Sequence, residues 1–225
     1  AALVTSGGIT FSYDNPATAD TSAYEYPTAT EAMASSAAVG HEWFLTSPTS
    51  IIRLGYSNPS ASGGGDIIYR NGGFVRYQFP FQAGDAWFTT AYNGRTTMNF
   101  GLGEDSTVVE NGNYSASVDA YGTVTLPTGV VSNAVRVHVL ESFDLNIYMF
   151  GTAAVTTSLQ DDYYFWFADN IKDPFLIYGT TTSGSSVTKV LRYQPTGVTG
   201  VKSNAQTIEN IVAYPNPSNG IFDLT

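Results

Sequence analysis

Ten short runs in this chain alternate apolar and polar residues, or are apolar throughout, and turn-forming residues separate them. They lie at residues 9–13, 51–56, 74–79, 87–92, 115–118, 123–126, 134–140, 163–167, 175–178 and 187–193. Neighbouring side chains on a strand point to opposite faces, so a period of two gives one face to a core and the other to solvent. The apolar residues are mostly Val, Ile, Tyr, Phe and Trp, which suit a pleated surface better than a helix. Turn clusters such as Asn58-Pro59-Ser60, Asn71-Gly72-Gly73, Asn93-Gly94 and Glu110-Asn111-Gly112-Asn113 recur at the spacing of an antiparallel architecture. The pattern predicts an all-β fold, an antiparallel β-sandwich of jelly-roll-like complexity. One stretch, 30–38, is Ala-rich, starts with a capping Thr30 and is followed by Gly40; it predicts a short helical turn.

Composition narrows the function. Only 12% of the 225 residues are charged, against roughly 25% in an average globular domain. The 9 basic and 19 acidic residues leave a net charge of −10, which repels phosphate backbones and anionic lipid surfaces, so nucleic acid is excluded as an expected partner. With no Cys there is no disulfide framework and no thiolate nucleophile. No apolar stretch approaches the ~18 residues a membrane-spanning helix requires. Ala1 to Gly8 carries neither Met nor a basic segment and reads as a mature start after signal-peptide removal. The expected organisation is a β-sandwich module over 1–197, with division into two sub-sandwiches near 72–80 as a variant, then a polar linker over 198–207 and a second apolar segment over 208–225.

The last segment contains Tyr214, Pro215, Asn216 and Pro217, followed by Gly220 and an alternating strand. It resembles the opening of the C-terminal sorting domain carried by substrates of the type IX secretion system of Bacteroidetes. Residues 118–129, with Gly122 before Thr123-Val124-Thr125-Leu126-Pro127, then 133–137, 163–167 and 173–177, are similar to a β-rich module of unassigned activity found upstream of such domains. The resemblance implies an exported protein handled by that machinery and located outside the cell or on its outer surface. It also implies that 208–225 supplies a short strand pair from a truncated sorting domain. Locally, Pro215 and Pro217 withhold two backbone donors, so a stiff turn joins the two strands.

Residues able to do chemistry are few. His138 shares a strand face with Arg136 and Leu140, opposite Val135, Val137 and Val139, and reads as a solvated His. His41 is expected in a cap or turn. No H-E-x-x-H or G-x-S-x-G motif occurs. Glu104-Asp105, Asp119, Glu141-Asp144, Asp161-Asp162 and Asp173 could supply a glycosidase dyad or ligate Ca²⁺, but most sit beside turn residues, so neither a catalytic residue nor a metal or other cofactor is expected. Asp105-Ser106-Thr107 matches a short O-glycosylation pattern of these bacteria, with Ser106 as acceptor. Tyr164, Trp166, Trp87 and Trp43 are the candidates for an aromatic contact surface, with core packing on both faces of 163–167 as the competing reading. The expected function is non-catalytic: an extracellular structural or adhesive subunit that self-assembles through strand edges. The alternative is a carbohydrate-binding module of a secreted polysaccharide-utilisation system.

Overall fold

Period two becomes literal in the structure, a computed structural model that describes residues 3–20, 23–36, 40–57, 66–98, 105–127, 129–149, 151–169, 173–194 and 221–222. The strands are β1 (Leu3–Gly8), β2 (Phe11–Asp14), β3 (Glu31–Ser35), β4 (His41–Thr46), β5 (Ser50–Ser57), β6 (Ile67–Tyr69) and β7 (Phe74–Gln78). They continue with β8 (Ala86–Met98), β9 (Asp105–Leu126), β10 (Gly129–Met149), β11 (Thr152–Phe167), β12 (Leu176–Ser183), β13 (Ser186–Tyr193) and β14 (Ile221–Phe222). The described residues form one sheet in the order β1-β13-β12-β11-β10-β9-β8-β6-β5-β4-β3-β2, with β7 added on β5 and β14 on β9. Pairing is antiparallel except for β1 with β13 and β14 with β9. Neighbours in space are therefore mostly neighbours in sequence, and the fold is all-β as expected.

The sheet folds over so that β2 to β7 lie against β8 to β13. Phe74 and Tyr77 of β7 meet Trp87, Tyr92, Tyr114, Val137, Val139, Phe165, Phe167 and Ile177 in one core. This core joins strands on both sides of residues 72–80. At the fold's seam β1 and β2 are almost one strand: Ile9 N–H donates to Tyr193 O, while Ser36 N–H donates to Thr10 O. One segment thus stitches β13 to β3.

Three expectations are corrected. Residues 31–35 form strand β3 rather than a helix, because Ala32, completely buried, packs with Trp43, Tyr26 and Leu54; strand partners on both sides outweigh the helix preference of Ala in so short a segment. Asn93-Gly94 and Glu110 to Asn113 are not turns but lie inside β8 and β9, where the register slips between Thr90, Tyr92 and Gly94. Ala91 and Asn111 take left-handed φ values of 54° and 55° there, the mark of bulges, and bulges use the same Asn and Gly residues as turns. Tyr121 and Gly122 also lie within β9. The Asn71-Gly72-Gly73 turn is present, with Asn71 at φ 59°.

Candidate functional site

Strands β8 to β12 present two faces of opposite chemistry, and cross-strand register fixes both. On the outer face Phe88, Ser115, Leu140, Asp162 and Thr180 line up across the five strands. Two residues along, Thr90, Asn113, Ser142, Gln160 and Thr182 form a parallel row. Together they line an open groove of about 690 Å³. Phe88 is 78% exposed and Leu140 47%, so a short apolar strip sits among hydroxyls, amides and a carboxylate.

A third row flanks the groove. His138 pairs with Tyr164, which pairs with Tyr178. The His138 ring stacks on Tyr164 at 4.3 Å, nearly parallel, and its Nε2 is 2.8 Å from Asp162 Oδ1. Beyond it Arg136 makes a two-pronged bond to Asp119, 2.8 and 3.0 Å, and lies 4.9 Å from the Tyr164 ring centre. Trp166, further along this face, is buried with Val124, Leu126, Ala134, Leu176 and Leu191. Its Nε1 is buried and finds no hydrogen-bond partner among the described residues.

The four proposed aromatic contact residues therefore divide. Trp43 is completely buried, stacked 4.6 Å from Tyr26, and donates to Ser57 Oγ at 2.8 Å. Trp87 is in the main core and donates to Arg76 O at 3.0 Å. Trp166 is buried in the second cluster, and only Tyr164, half-buried, borders the groove. Residues 163–167 thus pack on both sides. The exposed aromatic that lines the groove is Phe88, which sequence reasoning passed over. Its signal was its place next to Trp87: one of the two had to face out.

His138 is on the predicted face but is a stacked, carboxylate-bound member of it rather than a solvated ring. His41 belongs to β4, not to a cap or turn. Its Nδ1 is 2.7 Å from Asp20 Oδ2 and its Nε2 2.9 Å from Asp14 Oδ2, while Ser57 donates to the same Asp20 oxygen at 2.6 Å. This Trp43–Ser57–Asp20–His41–Asp14 chain ties the loop after β2 to β4 and β5.

The inner face is built around charge. Tyr114, Glu141, Asp161 and Thr181 stand in one row. With Glu42, Arg53 and Arg76 from the opposite layer and Arg192 from β13, the first three of this row bound an interior cavity of about 340 Å³. Glu42 bridges Arg76 Nη1 at 2.5 Å and Arg53 Nε at 3.2 Å. Burial raises the pKa of Glu42, but the two guanidiniums outweigh it and hold the carboxyl below its usual range. Asp161 goes the other way: burial raises it, only partly countered by the Thr181 hydroxyl that donates to it at 2.5 Å. Glu141 accepts from the Tyr92 hydroxyl. Of the remaining acids, Asp144 accepts from Asn111 Nδ2 and Ser158 Oγ, and Asp173 accepts from Tyr13.

Glu141 and Asp161 are direct cross-strand partners and the one adjacent carboxylate pair that lines this cavity. Among the described residues no group of three or more His, Asp or Glu could hold a metal ion, and no helix is long and apolar enough to cross a membrane. Ser106 lies near the start of β9, opposite Thr97 and Tyr148. Tyr214, Pro215, Asn216, Pro217 and Gly220 lie outside the described residues, as does Glu104. Comparison with family models, with curated proteins and with solved structures finds no match for this chain.

Proposed function

We propose that the protein is a non-catalytic recognition module that binds glycan chains on the outer face of β8 to β12. The observation that carries this reading is the groove: Phe88, 78% exposed, among Ser115, Asn113, Gln160, Asp162 and Thr180. A sugar ring offers apolar C–H faces and a rim of hydroxyls, which an aromatic platform ringed by amides, hydroxyls and a carboxylate complements. The rigid sheet holds both rows at fixed spacing, so little ordering entropy opposes binding. The location outside the cell rests on the resemblance of Tyr214 to Gly220 to a sorting motif.

Self-assembly through strand edges, expected from scarce charge, abundant β-branched and aromatic residues and the C-terminal strand segment, is the competing reading. Ile221 and Phe222 have strand partners in Thr123 and Val124 of this chain, so the proposal rests on the groove rather than on the tail. Affinity electrophoresis and a glycan array test the proposal. Phe88→Ala and Gln160→Ala are expected to weaken retention at least about tenfold, ~1.4 kcal/mol, without changing thermal stability. Absence of any glycan retention by the intact chain overturns it.

A further inference from the structure

The interior cavity between the layers leaves cationic hydrogen-bonding capacity unused. Each acid that lines it has a donor: Glu42 has Arg76, Glu141 has Tyr92 and Asp161 has Thr181. The arginines are less well served. Arg53 Nε is buried and, although 3.2 Å from Glu42 Oε2, makes no hydrogen bond. Arg192 reaches only its neighbour's carbonyl, Leu191 O, at a long 3.5 Å, and no carboxylate lies within ion-pair distance of it among the described residues. Register shows that this is placement rather than accident. Arg192 pairs with Ile177, which pairs with Phe165, both on the inner, core face, so its side chain enters the molecule while Leu191 faces the second cluster.

Beside the charged chamber lies a smaller pocket of about 130 Å³ with a largely apolar wall; Ile9, Glu42, Arg76, Phe165 and Ile177 line both, and Glu31 and Asp173 add carboxylates to the smaller one. Phe11, Met33, Phe44 and Ile51 form the pocket's wall on one layer, Phe167 and Pro174 on the other. At its rim the Tyr13 hydroxyl donates to Asp173, joining the two layers. A guanidinium offers planar paired donors matched to a carboxylate, and an apolar neck beside it accepts a short hydrocarbon body.

We propose that the chamber and neck form a binding site for a small organic carboxylate, its carboxylate on Arg192 and Arg53 and its apolar body in the neck. The site is separate from the outer groove, and the sheet β8 to β12 lies between them. Glu141 and Asp161 line the chamber and Glu31 and Asp173 the neck, so the site is expected to accept a monoanion and to reject a dianion.

The test is isothermal titration and thermal shift of the full chain with hexanoate, benzoate and 3-phenylpropionate, each beside its neutral amide. Carboxylates are expected to raise the melting temperature and their amides not to. Arg192→Gln is the informative variant because Arg192 makes no ion pair that the fold depends on. It is expected to weaken binding at least about tenfold, and Arg192→Lys, which keeps the charge but not the paired donors, to weaken it less. Three results overturn the proposal: no carboxylate binds, amides bind as tightly as carboxylates, or Arg192→Gln binds like the unaltered chain. The first of these means that the chamber holds only water, which polar cavities of this size accommodate. Glycan retention by the groove is read separately, so either site can fail without the other.

Discussion

Trp87 and Phe88 are consecutive aromatic residues on one strand. Trp87 is 5% exposed and Phe88 78%. The same contrast holds on β9, β10 and β11: Tyr114 against Ser115, Glu141 against Leu140, Asp161 against Asp162. The inner face buries charge and binds each acid to a donor, whereas the outer face leaves apolar atoms in water. Burial by polarity would have arranged the two the other way at Leu140 and Glu141. A strand does not sort residues by polarity; alternation assigns the face, and the layer opposite decides what each face meets. The exposed apolar strip is the feature on which the proposed glycan groove rests, and a charged interior needs partners for every ion.

Truncating both neighbours separates the two faces most strongly. Trp87→Ala should destabilise by about 3–5 kcal/mol, the usual cost of emptying a large core site, and it also removes the bond to Arg76 O. Phe88→Ala should stay within about 0.5 kcal/mol. Chemical denaturation measures both, and similar losses would dissolve the distinction between the faces. Of comparable size is Glu42→Gln, which leaves Arg53 and Arg76 without their anion; removing one partner of such a buried cluster costs about 3–5 kcal/mol.

The acids sharpen the contrast through pH. Glu42 has a carboxyl held below its unfolded range, so its contribution is present above that range and is lost as pH falls through the lowered value. Asp161 is raised, so its contribution is present below the usual carboxylate range and is lost as pH rises through the raised value. Asp161→Asn is therefore expected to stabilise the protein slightly at neutral pH and to have no effect at low pH, as followed by melting temperature across pH. A loss of stability at neutral pH would mean that Asp161 is a satisfied ion.

An intermediate effect is expected at Gly179. A Cβ there would meet the Asp162 carbonyl oxygen at 2.5 Å and the Tyr163 ring at 2.6 Å. Gly179→Ala should cost about 1–3 kcal/mol, typical of overpacking, and should weaken carboxylate binding by moving the Tyr163 ring that lines the chamber.

Much of the fold was legible because strand identity is local. Runs at 51–56, 74–79, 134–140 and 187–193 fall on β5, β7, β10 and β13, and the opposition of Val137 and Val139 to His138 and Leu140 is as their spacing requires. Residues 31–35 were not legible, since an Ala-rich segment becomes a strand only when β2 and β4 bracket it. The bulges at Ala91 and Asn111 use the residues of turns, so no local signal separates a slip from a reversal. The charged chamber was hidden for another reason: Glu42 and Arg53 on β4 and β5 are far in the chain from Asp161 and Arg192 on β11 and β13, and the two sets meet only when the sheet folds over.

By itself the sequence determined that the chain is built of strands, and which residues share a side of each strand, because both follow from two-residue periodicity and from side-chain shape. It did not determine which side is covered. Only the packing of strands and loops on one another decided that Trp43, Trp87 and Trp166 are interior, that Phe88 is not, and that three arginines face one cavity, because burial is a relation between segments and is not a property of any one of them.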